Sequence, residues 1–494
     1  VATMLGLVLR TVALDRWSLW HDELYTITER GSAPLLELLT MTSDPHPPLY
    51  YLFVHGWVSA FGSGPTPARV LSILFSVGVI WGVYLLARAL YDDRTALLSA
   101  LLVAVSTLHI HFGRTVRMYS LFALMAVLSW YGYVRLRDVG TSFSRSDRRS
   151  VLKAVFYFIA TLGLLYTHIY GLFVVFGQYV HRYLTDPADR LPERPWRLIH
   201  VGIGLIYLPW AVVLYRQVRN ILAGTGESTI GWIPPPSIMQ VRDVSLMWAG
   251  YPSFYPINAE TTLAFLVAFI LLGVINVSLF LSVLTHDSTD GGTYYFVDGS
   301  QAGLLALALL VPIVVPLAVS YLLVPIIVPR YTIAVSFALF ILVARGIVNI
   351  SDQRWQIAFV AVLLIGATAT SAIYYSSDSA EDWRGIADEV ETSASPGDLV
   401  VYQPTWIASD VDYYYEGPPL DRTAFRDPSH VSERDLARLE ELTDDHDRIW
   451  LVLYRPDESN ELRATITETH ALRGVYDGGV VTLYRFETGR SQRT

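Results

Sequence analysis

The chain has no cysteine and a single lysine, Lys153. Without thiols there is no disulfide framework, no thiolate nucleophile and no cysteine-ligated metal. Charge is scarce as well: Asp, Glu, Lys and Arg make up 16% of 494 residues, hydrophobic residues 52%, and mean hydropathy is +0.38. Several chemical signatures are also missing. There is no Walker A loop, no zincin His-Glu pair, no Gly-rich dinucleotide fingerprint and no Gly-x-Ser-x-Gly elbow, so neither nucleotide-dependent nor serine-hydrolase chemistry is indicated. No nucleic-acid partner is expected. The opening run has no basic start and no small-residue cleavage site, so no signal peptide is visible. Repeats and low-complexity segments are absent too.

What the chain does have is apolar runs of the length that crosses a bilayer as helix, about 20 residues. They fall near 1–14, 67–90, 95–112, 117–136, 151–166, 168–184, 198–219, 259–284, 302–323, 331–349 and 356–375. The expected fold is a polytopic α-helical membrane protein with about eleven transmembrane helices. The run 1–14 is short, which suggests that the sequence begins inside its first helix. Arginines set the orientation. The links 135–153 and 182–197 are rich in Arg and lie on one side if 151–184 holds two spans; that side is taken as cytoplasmic. The loop 14–66 and the C-terminus then lie together on the outer face of the cell membrane.

After Tyr375 the pattern changes, and residues 376–494 read as a soluble extracytoplasmic α/β domain behind a membrane domain of 1–375. Leu399–Tyr402, Ile449–Tyr454 and Val480–Phe486 read as strands, and Glu381–Glu391, Ser432–Leu442 and Ser459–Thr469 as amphipathic helices. Acids outnumber arginines there about two to one, the balance of a solvated surface. A pI near 5.7, with almost every basic residue an arginine, fits a GC-rich, salt-adapted genome.

The stretch Trp17-Ser18-Leu19-Trp20-His21-Asp22-Glu23-Leu24-Tyr25 sets an acid pair among aromatics at the end of the first run. Adjacent acids at a bilayer edge are costly to desolvate and do not serve packing; the alternative is an interfacial aromatic belt with acids facing water. Further along the same loop, Asp44 and His46 stand before Pro47-Pro48, which bars a helix and stiffens the turn. Asp22, Glu23, Asp44 and His46 suit proton transfer or a divalent ion. His109, His111, Arg114 and Arg117 follow at the outer end of the third and fourth runs, before Met118-Tyr119-Ser120-Leu121; Arg330-Tyr331 opens a later one behind Pro329. Outer arginines run against the positive-inside tendency. They suit a phosphate, which guanidinium binds bidentately, or snorkel to lipid headgroups. His168, between two runs, is a site group or a hydrogen-bonded turn residue.

Taken in order, the Asp-Glu after the first run, Asp44-Pro45-His46-Pro47-Pro48-Leu49-Tyr50-Tyr51, Arg114-x-x-Arg117-Met118-Tyr119-Ser120-Leu121 and Pro329-Arg330-Tyr331 resemble the GT-C glycosyltransferases. More narrowly they resemble family 39, the dolichyl-phosphate-mannose protein mannosyltransferases and their bacterial and archaeal relatives. Glu381-Asp382-Trp383-Arg384-Gly385 also looks like the start of the outer domain that many of these carry. The Trp-Trp-Asp-Tyr-Gly signature of oligosaccharyltransferases is absent. The resemblance implies an inverting hexosyltransferase that moves a sugar from a polyprenyl (dolichyl) phosphate donor to a glycan, lipid or protein on the outer face. It implies Asp22 as general base with Glu23 in support, and Arg114, Arg117, Tyr119, Arg330 and Tyr331 as donor-phosphate residues. Asp44, His46 and His168 are left for a metal ion or the acceptor. No nucleotide is needed, because the donor brings its own activation, and a divalent metal ion is left open as cofactor; an acid-rich chain of this family implies a haloarchaeal source. A transporter or flippase for polyprenyl-linked sugars is the alternative function. Such a protein would also need outer arginines and lipid grooves, but would have little use for the acid pair.

Overall fold

The computed structural model describes residues 1–40, 46–140, 143–144, 146–184, 190–223, 233–250, 259–282, 284–289, 292–297, 299–377, 381–426, 431–456 and 460–488. The chain divides into two compact units. One comprises Val1–Leu14 and Arg30–Ser376, the other Asp15–Glu29 and Ser377–Thr494. The second unit thus takes in Trp17 to Tyr25, part of the expected loop 14–66.

In the first unit every expected apolar run is helical, from Ala2–Thr11 through Pro65–Leu90, Tyr119–Arg137 and Arg148–Thr167 to Gln353–Ser376. The run pair within 151–184 is two helices, Arg148–Thr167 and Gly171–Leu184. Among the described residues seven helices are long and apolar enough to cross a membrane, or eight if the bent pair Asp93–Val105 and Thr107–Gly113 counts as one. Ala2–Thr11 and Gly171–Leu184 have 10 and 14 residues, roughly 15 and 21 Å of helix, short of the ~30 Å hydrocarbon core. Tyr119–Arg137 is diluted by Tyr, Trp, Ser and Gly and is buried along most of its length.

The bend of 59° falls at Ser106, whose φ of −64° and ψ of 120° leave the helical region. A break there strands the carbonyls of the preceding turn. Arg10 accounts for them: fully buried, it donates to Ala104 O at 3.0 Å, Val103 O at 3.3 Å and Ser76 Oγ at 2.7 Å. Close helix contact elsewhere relies on glycine. A Cβ on Gly346 would overlap the carbonyl of Ser278, so Ser336–Val348 and Ala259–Ser282 touch backbone to backbone.

The link expected at 285–301 carries an antiparallel hairpin, β1 Leu284–Thr289 with β2 Gly292–Val297. In the second unit, β3 Leu399–Gln403, β4 Asp421–Ala424, β5 Arg448–Tyr454, β6 His470–Asp477 and β7 Val481–Thr488 form one sheet in the order β4-β3-β5-β7-β6. β3 runs parallel to β4 and β5, while β7 is antiparallel to β5 and β6. Leu399, Val401, Ile449, Leu451 and Phe486 pack from the sheet against Leu439, Leu462 and Ile466 of the helices Glu433–Asp444 and Glu461–Thr469. Pro396-Gly397-Asp398 makes the expected turn, with Gly397 at φ +87°, a conformation that suits glycine. The Asp398 carboxylate accepts the Ser395 N–H at 3.0 Å and closes it. Strands β4 and β6 were not expected; both are sheet edges, where exposure removes the apolar alternation that marks a strand.

Candidate active site

The candidate residues fall into two groups, one in each unit. In the second unit, Trp17 to His21 is tied down residue by residue. Trp17 Nε1 donates to Ser377 O at 3.0 Å, Ser18 Oγ to Asp382 at 2.9 Å, and Leu19 N–H to Tyr414 Oη at 2.8 Å. The His21 N–H donates to Glu381 Oε2 at 2.7 Å. A one-turn helix, His21–Tyr25, then presents the acids on different sides. Glu23 is buried, and its carboxylate accepts the Trp20 N–H at 3.3 Å, a capping role at the helix start. Asp22 stays half-buried.

Around His21 the environment is acidic and aromatic. Its Nδ1 is 2.8 Å from the buried Asp410 carboxylate, and its ring lies 4.0 Å from the Trp406 ring. Burial would lower the imidazole pKa, but the hydrogen bond and charge of Asp410, with Asp22 and Glu381 behind them, outweigh it and raise it above the ordinary histidine range. Burial also lifts the Glu381 carboxyl, opposed by the His21 N–H and the Trp383 indole. Asp410 is likewise raised, by burial first, with His21 pulling against it. Sequence reasoning did not single out Asp410. The available signal was its position: with Ile407 and Val411 it lies on the buried face of the helix Ile407–Asp412, where a carboxylate has no packing reason to be.

In the first unit, Arg114 and Arg117 occupy the turn between Thr107–Gly113 and Tyr119–Arg137, both nearly fully buried. Arg114 donates to Ala13 O at 2.7 Å and lies over the rings of Tyr374 and Tyr375. Together with Arg69, which donates to Leu14 O at 2.7 Å, it secures the carbonyls just beyond the first helix. Arg117 and Arg330 instead act electrostatically on His168, as does His46. His168 follows Arg148–Thr167 in extended conformation and is fully buried. Its ring stacks on Phe122 at 4.6 Å, meets Tyr331 edge-on at 4.4 Å and lies 5.2 Å from the His46 ring. Arg330 and Tyr331 open the 3₁₀ turn Pro329–Val335. Tyr119, also fully buried, packs against Phe112 and Tyr331; its hydroxyl has no hydrogen-bond partner among the described residues.

His46, His168 and Tyr331 are therefore brought together by ring contacts, with Tyr119 against Tyr331, and the charges of Arg117 and Arg330 reach His168. Asp44 lies outside the described residues. His109 belongs to the core instead: its Nε2 is 2.9 Å from Ser336 Oγ and its ring packs on Phe340. Among the described residues no three His, Asp or Glu side chains are gathered to hold a metal ion, and no step is assigned to one.

The family model for dolichyl-phosphate-mannose-protein mannosyltransferases matches residues 45–215. No curated protein matches the chain. Among solved structures, ArnT from Cupriavidus metallidurans without ligand superposes with a TM-score of 0.62 at 14% identity, over 98% of this chain and 97% of that one. The same enzyme bound to undecaprenyl phosphate gives 0.59 at 13% identity, with the same coverage. The oligosaccharyltransferase AglB from Archaeoglobus fulgidus, in complex with an inhibitory peptide and a dolichol-phosphate, gives 0.51 at 12% identity over 98% of this chain and 73% of that one. At such identities the likeness is one of fold, and it runs through both units. The chain therefore shares its fold with these structures, and residues 45–215 match the mannosyltransferase family model.

Proposed function

We propose that the protein transfers a hexose from a polyprenyl phosphate, a dolichyl phosphate if the source is haloarchaeal, to a hydroxyl of a glycan, lipid or protein on the outer face. Asp22 removes the proton from the acceptor hydroxyl as its oxygen attacks the anomeric carbon. The bond from that carbon to the phosphate oxygen breaks, its electron pair leaves with the phosphate, and the configuration inverts. Charge grows on the leaving phosphate, and cations fixed before the reaction stabilise it without reorganisation. Arg117 and Arg330 take that role, with Tyr119 and Tyr331 beside them. Arg114, committed to the end of the first helix, holds the turn that carries Arg117. His46 is left to the acceptor. The prenyl chain lies in an apolar groove lined by Leu102, Leu271, Ile275, Leu339, Val343 and Leu363. The loop with Asp22 and the C-terminal domain lie outside the cell.

The observation that carries this reading is a fully buried histidine, His168, walled by aromatic rings and acted on by the charges of Arg117 and Arg330, with residues 45–215 matching the mannosyltransferase model. It is tested by transfer of radiolabelled sugar from dolichyl-phosphate donors by membranes containing the protein, wild type beside Asp22→Asn. Transfer by wild type and its loss in the variant, with donor binding retained, is the expected result. Equal transfer by both removes Asp22 from the role of base. No transfer, with lipid-linked sugar still crossing the bilayer, replaces the transferase with a flippase.

A further inference from the structure

The two ring nitrogens of His168 are in different situations. Nδ1 lies 3.2 Å from the Tyr170 N–H. A backbone N–H can only donate, so Nδ1 is the acceptor and carries no proton. In the neutral ring the proton is then on Nε2. Nε2 has no hydrogen-bond partner among the described residues, although His168 is fully buried. Leaving a buried N–H unmade is expensive. The ring does not turn freely toward some other acceptor, because Phe122 stacks on one face and Tyr331 and Tyr170 press on its edges at 4.4 and 5.7 Å.

The donor thus lies without an acceptor where the charges of His46, Arg117 and Arg330 act, with the His46 ring 5.2 Å away. Such positive surroundings select an anion. The bond to Tyr170 also opposes a metal at Nε2, since a ligating nitrogen needs its lone pair and the proton would have to move to Nδ1, against a backbone N–H.

We propose that His168 binds the lipid phosphate as a neutral donor, giving Nε2–H to a phosphate oxygen that Arg117 and Arg330 also hold. The inference rests on the donor site of the proposed transferase and names a further group in it. Two cations supply charge; the imidazole supplies a directed, uncharged hydrogen bond fixed in orientation by three aromatic rings. It distinguishes a phosphate from the corresponding alcohol.

The test is binding of short-chain dolichyl phosphate, and of dolichol as its neutral counterpart, to the full chain in detergent, with thermal unfolding recorded for each variant. His168→Phe preserves a flat ring against Phe122 and Tyr331 but loses the donor. It should weaken dolichyl phosphate binding about ten- to hundredfold, the range for a hydrogen bond to a charged group, and leave dolichol unchanged. His168→Gln, which restores an N–H, should recover part of that loss. Wild-type affinity for dolichyl phosphate in His168→Phe overturns the proposal, as does an equal loss for phosphate and alcohol. If Arg117→Gln weakens binding while His168→Phe does not, the inference fails and the donor site stands. If the wild-type protein binds no dolichyl phosphate, both fall.

Discussion

His21 Nδ1 lies 2.8 Å from the carboxylate of Asp410, a residue 389 positions later that is almost wholly buried. Two residues after His21, Glu23 caps its own helix, so the start of the segment that carries the acids is held by two carboxylates, those of Glu23 and Glu381.

This pairing makes stability depend on pH. The folded-state pKa of His21 is raised, so its stabilisation is fully present below the unfolded value of about 6.5 and is lost as pH rises through the folded value. Above that, a neutral imidazole leaves the Asp410 carboxylate buried without a cation. Thermal unfolding of wild type should fall as pH rises through this window. Asp410→Asn should flatten the dependence and cost about 1.5–3 kcal/mol on the acid side, the worth of a hydrogen bond between charged groups.

The two neighbouring acids should separate in kinetics. Glu23→Gln keeps an oxygen for the Trp20 N–H and should hold transfer within a few-fold of wild type. Asp22→Asn should lose about 10²–10⁴-fold in kcat, the usual worth of a general base. Parallel losses in both variants would assign the proton transfer to the pair rather than to Asp22.

Arg10→Leu should destabilise the helical unit strongly. It strands the carbonyls of Val103 and Ala104, at about 1–3 kcal/mol for each buried group left unsatisfied. A lower unfolding temperature in detergent, with correct membrane insertion, is the expected result.

Gly346→Ala should also destabilise, by about 1–3 kcal/mol, because the new methyl meets the Ser278 carbonyl and two helices must part. Gly204→Ala on an open helix face, where a Cβ meets nothing, should be neutral or slightly stabilising. Unfolding temperatures of the two variants make the comparison.

Local pattern explains what was legible. Each apolar run is a helix because its composition is a property of consecutive residues, and the core strands β3 and β5 are apolar along their whole buried length. The bend at Ser106 was not legible, since Arg10 offsets its cost from 93 positions away. The same holds for the site. Arg117 and Arg330 stood out because arginine at a helix start in an apolar chain is conspicuous. The tautomer of His168 depends on a backbone N–H that only the fold brings to it. Glu23 looked like a twin of Asp22, and only the turn at Trp20 separates their roles.

The pairing of Asp15–Glu29 with residues after Ser377 also has a consequence in time. A ribosome adds roughly 5–20 residues each second, so His21 is made about 20 to 80 s before Asp410. During that interval the acid-bearing segment has neither Glu381 to hold its backbone nor Asp410 to hold its imidazole. Nascent chains released before residue 410 would carry the helices and the arginines, with the imidazole of His21 still lacking its buried carboxylate.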